Sequence, residues 1–283
     1  MPVKIIVDST ADVTPQVRNR VGMVHLSIRF GNEEYIDRIT IDSRTFYEKL
    51  IESDVLPTTS QASPFAFEEA FAEAVEAGFD VVCITCSSRL SGTYQSAVIA
   101  AEEFPGKIHV VDSHTIALGS AILAEYALRL VDAGEDAQTI AWKLMQKREK
   151  VRLLAMLDTL EYLKKGGRIS PAVALAGGLL NIKPVVCIEN GEIRMLGKAR
   201  GSRQANNLLV QEIEKAGGVD FCKPVLLGYT GLSDAMLKKY IQDSAALWEG
   251  HMEALPYEVV GSVVGTHAGP GAVAVAFFAA DTE

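Results

Sequence analysis

A chain of 283 residues that is 48% hydrophobic has apolar surface enough for one large or two ordinary domains. Its formal charge of −9 argues against a general nucleic-acid surface and against docking on anionic membrane. Any anion it binds must therefore be held by a local group of donors that works against the overall field. Residues 3–7 form a short apolar strand ending in Asp8-Ser9-Thr10, with too little preceding charge for a signal peptide. A helix is predicted to start at Ser43, with Phe46 and Leu50 on one face. Another starts at Ser63-Pro64, a cap followed by proline in the first turn, and Gly78 stops it. Residues 79–86 read as a buried strand, 92–103 as a helix and 108–111 as a strand ending in Asp112-Ser113. Helices over 118–132 and 137–148 close this half, and strand–helix alternation of this kind predicts a parallel sheet covered on both faces.

The second half changes character. Residues 183–189 and 192–198 are strand-like and joined by Asn190-Gly191, a type I′ hairpin signal. A helix over 202–216, a strand over 225–229 and a helix over 233–248 follow. Two further strand-like runs, 259–264 and 272–279, flank a glycine-rich loop. The predicted fold class is α/β with two domains. Residues 1–155 would form a three-layer α/β/α domain with a parallel sheet. Residues 156–283 would form an α+β domain with a mixed sheet, with a ligand between the two. The most apolar long stretch, 171–188, is interrupted by Gly177, Gly178, Asn181, Lys183 and Pro184, so neither a span nor stable membrane insertion is expected. Cys83 and Cys86 sit three apart on a strand and so about 10 Å apart on opposite faces. That is beyond the reach of about 7 Å for a disulfide, so two buried thiols and a cytoplasmic location are expected.

Five segments could carry chemistry. In Gly265-Thr266-His267-Ala268-Gly269-Pro270-Gly271, glycines allow backbone N–H groups close to a ligand, and an imidazole can donate or accept. Alone, this segment reads equally well as an anion site and as a tight turn. Pro57-Thr58-Thr59-Ser60-Gln61 is a hydroxyl-rich loop whose hydroxyls could cap the following helix or bind an oxyanion. Residues 87–93 join a buried strand to a helix, where free N–H groups and the positive helix end meet, outside the carboxyl end of a strand. Gly166-Gly167-Arg168 could aim a guanidinium fork or simply end a basic helix. Gly197-Lys198-Ala199-Arg200-Gly201 closes a strand. No phosphate loop, nucleophile elbow or zinc spacing is present, so no metal is expected. Asp8 and Asp112 read as turn or cap residues.

Taken in order, the motifs resemble the DegV family of bacterial fatty-acid-binding proteins over essentially the whole chain. The match runs from Ile6-Val7-Asp8-Ser9-Thr10-Ala11-Asp12 through Thr59-Ser60-Gln61, residues 87–97 and Val111-Asp112-Ser113. It continues through Leu160-Glu161-Tyr162-Leu163, Gly166-Gly167-Arg168-Ile169, Asn181-Ile182-Lys183-Pro184, Lys198-Ala199-Arg200-Gly201 and residues 265–271. Ala62 stands where the family commonly has proline, which loosens that loop but keeps its donors.

The resemblance implies that a long-chain fatty acid, such as palmitate, stearate or oleate, lies between the domains. No covalently bound cofactor is implied. Position by position, Thr59 and Ser91 match the family's carboxylate-binding hydroxyls, with the N–H of Gly92 nearby, and His267 matches the histidine at the carboxylate. Arg168 and Arg200, with His267, match residues tied to phosphoryl transfer. The partner implied is a separate, dihydroxyacetone-kinase-like fatty acid kinase subunit that brings ATP and makes an acyl phosphate for phospholipid synthesis. The chain would then be a lipid-binding subunit without catalysis of its own. The alternatives are a self-contained hydrolase or phosphotransferase using His267 and Ser91, or a lipid-sensing regulatory module. The acyl tail is expected along Ile169, Val173, Leu175, Ala176, Leu179, Leu180 and Ile182, for which ordinary core packing is the competing reading.

Overall fold

The computed structural model describes residues 1–170 and 181–281. Its elements in chain order begin with β1 (Val3–Asp8), α1 (Pro15–Arg18), β2 (Gly22–Val24), β3 (Ser27–Phe30), β4 (Glu33–Ile36) and α2 (Ser43–Glu52). Then come β5 (Thr58–Ser60), α3 (Pro64–Glu76), β6 (Asp80–Thr85), α4 (Thr93–Ala101), β7 (Ile108–Asp112), α5 (Leu118–Asp132) and α6 (Ala137–Lys147). The rest of the chain adds β8 (Val151–Met156), α7 (Glu161–Lys165), β9 (Ile182–Glu189), β10 (Glu192–Arg200) and α8 (Gly201–Lys215). It closes with β11 (Leu226–Tyr229), α9 (Ala235–Asp243), α10 (Ala245–Trp248), β12 (Tyr257–Val259), α11 (Ser262–Ala268) and β13 (Val273–Phe278).

β2-β1-β6-β7 form a parallel sheet, as alternation of strands and helices requires. Val81 and Cys83 pack towards α3 and α4, while Val82 and Ile84 pack towards α5 and α6, so β6 is apolar on both faces. Side chains cap the helices where the sequence put them. Asp42 accepts from the Thr45 N–H at 2.7 Å, Ser63 from Ala66 at 3.2 Å and Asp136 from Thr139 at 2.8 Å. The second sheet is mixed, in the order β10-β9-β8-β13-β11-β12. α5 lies between the two sheets and is buried nearly all round, with Leu118, Ile122 and Ala121 joining Ile5 and Val7 to Leu153, Leu226 and Phe278.

The β9–β10 hairpin has the expected turn, with Asn190 at φ 50° and Gly191 at φ 80°. Several expectations are corrected. Residues 259–264 do not form one strand: β12 ends at Val259 and α11 begins at Ser262. Helix wins because spacing 260, 263, 264, 267 puts Val260, Val263, Val264 and His267 on one side. Thr58–Ser60 is a strand, not a loop, because β3 offers it a ladder with Thr59 opposite Ile28. β2, β3 and β4 were not anticipated; β4-β3-β5 is a small antiparallel sheet beside the larger ones. The helix over 233–248 is split at Ser244. The proposed boundary at 155/156 falls inside β8, which is a central strand of the second sheet.

Candidate functional site

A cavity of about 990 Å³, its open mouth included, lies between the two sheets. Thr10 and Cys86, just past the carboxyl ends of β1 and β6, border it, as expected for a parallel sheet. Asp8 shapes that edge: it accepts from the N–H of Thr10 at 2.9 Å and of Cys86 at 2.6 Å. Asp112 likewise accepts from the N–H groups of Ser88 and His114. Both aspartates are turn residues, in line with their reading from sequence. Burial pushes the thiols of Cys86, at the cavity, and of Cys83, in the core beneath α3 and α4, well above the usual range, so they are inert.

The polar end of the cavity is built from four segments. β5 presents Thr59, whose Oγ1 lies 2.9 Å from His267 Nε2. His267 sits in the last turn of α11, not in a loop of free N–H groups. The anion-cradle reading of residues 265–271 is therefore replaced by a single imidazole at a helix end. Its ring packs on the turn after α7 so closely that a Cβ at Gly166 would collide with Nδ1. Burial first, and the Arg168 charge second, push its pKa down to about 4. His267 is therefore neutral at physiological pH, and its Nδ1 is buried without a partner among the described residues. α11 is pinned at its other end by Asp12, which accepts from the Gly261 N–H at 2.8 Å and from Arg38 Nη2 at 2.5 Å. Burial raises the Asp12 carboxyl to about 7 against the pull of Arg38. Tyr47 on α2 adds a bond from its hydroxyl to the Val260 carbonyl at 2.9 Å.

Ser91 and Gly92 precede α4. Ser91 Oγ accepts from the Thr93 N–H at 3.2 Å and lies 2.8 Å from Thr93 Oγ1, so the serine both caps the helix and borders the cavity. A side chain at Gly92 would strike Gln61, which reaches past it to donate to Ser96 Oγ at 3.0 Å. Arg168 donates from Nε to the Leu90 carbonyl at 3.2 Å and from Nη1 to the Gly166 carbonyl at 2.6 Å. It thereby ties the turn after α7 to the loop before α4, at the edge of the cavity.

The structure thus brings Thr59, Ser91, Arg168 and His267 to one rim, with Gly92 beside it. Arg200 is exposed at the end of β10 and is not among the residues that line the cavity. Its pairing with Ile182 sets it at the end of the second sheet where Leu157 meets Pro184, opposite to the Ile193 end. The apolar wall also differs from the expected one. Ile169 is buried in a cluster with Leu157, Leu160 and Leu163, and Ile182 is half-buried opposite Arg200; neither lines the cavity. Val173, Leu175, Ala176, Leu179 and Leu180 lie outside the described residues. Among the described residues, the wall comes from one face of the second sheet: Val186 and Ile188 of β9, Leu153 and Ala155 of β8, and Ala274 of β13. Val186, Ala155 and Ala274 are successive partners across three strands, and the two alanines leave a furrow in the sheet; Gly228, the next partner, is covered by Leu118. Ile116 and Ala117 before α5, with Val263 and Val264 of α11, form the opposite side. The helical spacing of residues 260–267 was the signal that could have found the α11 lining; nothing local marks β8 and β13 as wall. Such a chamber suits a ligand with a long apolar body and one end that accepts hydrogen bonds. Among the described residues, no group of three His, Cys, Asp or Glu could hold a metal, and no helix is long and apolar enough to cross a membrane.

Comparison with known proteins gives concordant results. The family model described as "Uncharacterised protein, DegV family" matches residues 2–280. A DegV domain-containing protein of Deinococcus radiodurans is 35% identical over 282 residues, covering 98% of each chain. The structure resembles that of a fatty-acid-binding DegV family protein from Thermus thermophilus, with a TM-score of 0.88 at 31% identity, covering 99% of this chain and 100% of the other. It also resembles a stearic-acid-binding protein from Eubacterium ventriosum, with a TM-score of 0.87 at 27% identity and 98% coverage of both.

Proposed function

The chain belongs to the DegV family, and on that premise we propose that it binds a long-chain fatty acid with its carboxylate at Thr59, Ser91 and His267. The observation that carries this reading is the cavity itself: an apolar furrow ending in a cluster of neutral donors with one arginine at its edge. The fatty acids bound by the Thermus and Eubacterium proteins point the same way. Each buried methylene contributes about 0.8 kcal/mol, so a sixteen-carbon tail supplies on the order of 10 kcal/mol before ordering costs. Tail burial then dominates affinity, and the head-group donors fix where the carboxylate sits. A carboxylate held mainly by neutral donors keeps its nucleophilicity.

The proposal extends to a partner. A separate, dihydroxyacetone-kinase-like subunit would bring ATP, and the bound carboxylate oxygen would attack the terminal phosphorus, giving acyl phosphate and ADP. Arg168, at the cavity edge, and Arg200, exposed on the surface, would neutralise charge on the phosphoryl group as the partner docks. The hydrolase alternative finds no support in the geometry, because His267 Nε2 faces Thr59 while Ser91 Oγ bonds Thr93. Mass spectrometry of lipid extracted from the purified protein tests the core of the proposal. Palmitate, stearate or oleate is the expected finding. Protein that is empty and also fails to bind these acids in solution would overturn it.

A further inference from the structure

Two cavities meet at the β9–β10 hairpin. Cys187 and Ile188 border both the apolar chamber and a second, polar cavity lined by His114, Arg148, Glu149, Arg152, Glu212 and Lys215. The sheet register orders the chamber floor. Leu157 and Ala272 lie at the His267 end, the small pair Ala155 and Ala274 comes next, and Leu153 follows. From Leu157 to Leu153 is four residues of strand, about 13 Å. Val151, at the start of β8, borders the second cavity, and so do Arg152 and Leu154, which alternate with Leu153 and face the other side of the sheet. Ile188 pairs with Ile193 across the hairpin, and both line the chamber, so this half-buried pair closes its far end. The hairpin is held there from the other domain: Ser87 Oγ donates to the Gly191 carbonyl at 2.8 Å, and Arg89 pairs with Glu192 at 3.1 Å. Beyond the pair the walls carry charge on both signs of side chain, a poor environment for methylenes.

Resting on the fatty-acid reading of the chamber, we propose that Ile188, backed by Ile193, is the end stop that sets the longest acyl chain this protein accepts. A chain too long for the chamber must either displace that pair or push its last methylenes among the charged groups of the second cavity. Truncating Ile188 joins the two spaces behind the furrow and extends the apolar path by the volume of the lost side chain.

The test compares palmitate with eicosanoate, four methylenes longer, on the full-length wild-type protein and on Ile188→Ala. The expected result is a rise of about tenfold in the affinity for eicosanoate relative to palmitate in Ile188→Ala. An unchanged ratio in a variant that still binds palmitate overturns the end stop. Ile188→Phe reads the same feature in the other direction and decides the matter should the alanine variant fail to fold. Its preference should move about tenfold towards myristate over palmitate, and an unshifted preference overturns the proposal. Wild-type protein that binds none of these acids instead overturns the fatty-acid reading itself.

Discussion

Arg168 and Arg200 illustrate how two arginines with the same expected role can occupy different physical settings. Arg168 spends its guanidinium on two backbone carbonyls, so it holds the turn after α7 against the loop before α4 as well as bringing charge to the rim. Removing it disturbs structure and charge together. Arg200 is exposed, and its backbone N–H donates to Gln204 Oε1 at 2.9 Å at the start of α8. Arg200→Ala should therefore leave fatty acid affinity within about twofold while cutting kinase-dependent phosphorylation by at least about tenfold. Parallel measurement of fatty acid binding and acyl phosphate formation checks this, and equal loss of both would contradict the role given to Arg200. Sequence motifs identified both residues, but only the folded chain shows that Arg168 borders the chamber while Arg200 is exposed at the end of β10.

At the scale of elements, legibility followed local chemistry. Asn190-Gly191 was readable because a type I′ turn demands positive φ at both residues, and the turn is present as read. The same geometry makes Gly191 a joint between the hairpin and the loop after β6, since a Cβ there would crowd Ser87 Oγ. Gly191→Ala should cost about 1–3 kcal/mol through strain at φ 80° and loss of the Ser87 contact, measured by chemical denaturation. A cost near zero would mean that the hairpin end is not held. α11 was misread because four β-branched valines within 259–264 look like a strand, and its start carries no capping side chain to announce a helix. Thr58–Ser60 is too short and too polar to be read as a strand despite its two threonines; it is extended because β3 supplies hydrogen-bond partners. The chamber floor was invisible for a related reason. Val186, Ala155 and Ala274 become neighbours only through pairing of β9, β8 and β13, which no local pattern specifies.

For the whole molecule, the titratable groups at the two ends of α11 make stability depend on pH in two opposing ways. His267 has its pKa depressed from 6.5 to about 4, so the unfolded chain binds its proton more readily, and stability is lost as pH falls from about 6.5 towards 4. Asp12, raised from 3.8 to about 7, acts in the opposite sense: its contribution is fully present below about 3.8 and is lost as pH rises through 7. The two therefore offset each other over much of the same range. His267→Asn removes one of them, so the cost of that substitution should be about 2 kcal/mol smaller at pH 5 than at pH 7. Denaturation of both proteins at the two pH values measures it, and a cost that does not change would show that His267 titrates normally in the folded protein.

The position of β13 in the second sheet has a kinetic consequence. β13 is the latest strand in sequence yet sits between β8 and β11, near the middle of the sheet order. During synthesis, β8, β9 and β10 emerge long before residues 273–278 and must wait with one edge of β8 unpaired. α5 waits too, because one of its apolar sides packs against β13 and β11. The nascent chain thus carries an open strand edge and an uncovered helix face until residues 273–278 have left the ribosome. Final closure of the sheet, the enclosure of α5 and the completion of the chamber floor all depend on the arrival of the same six residues.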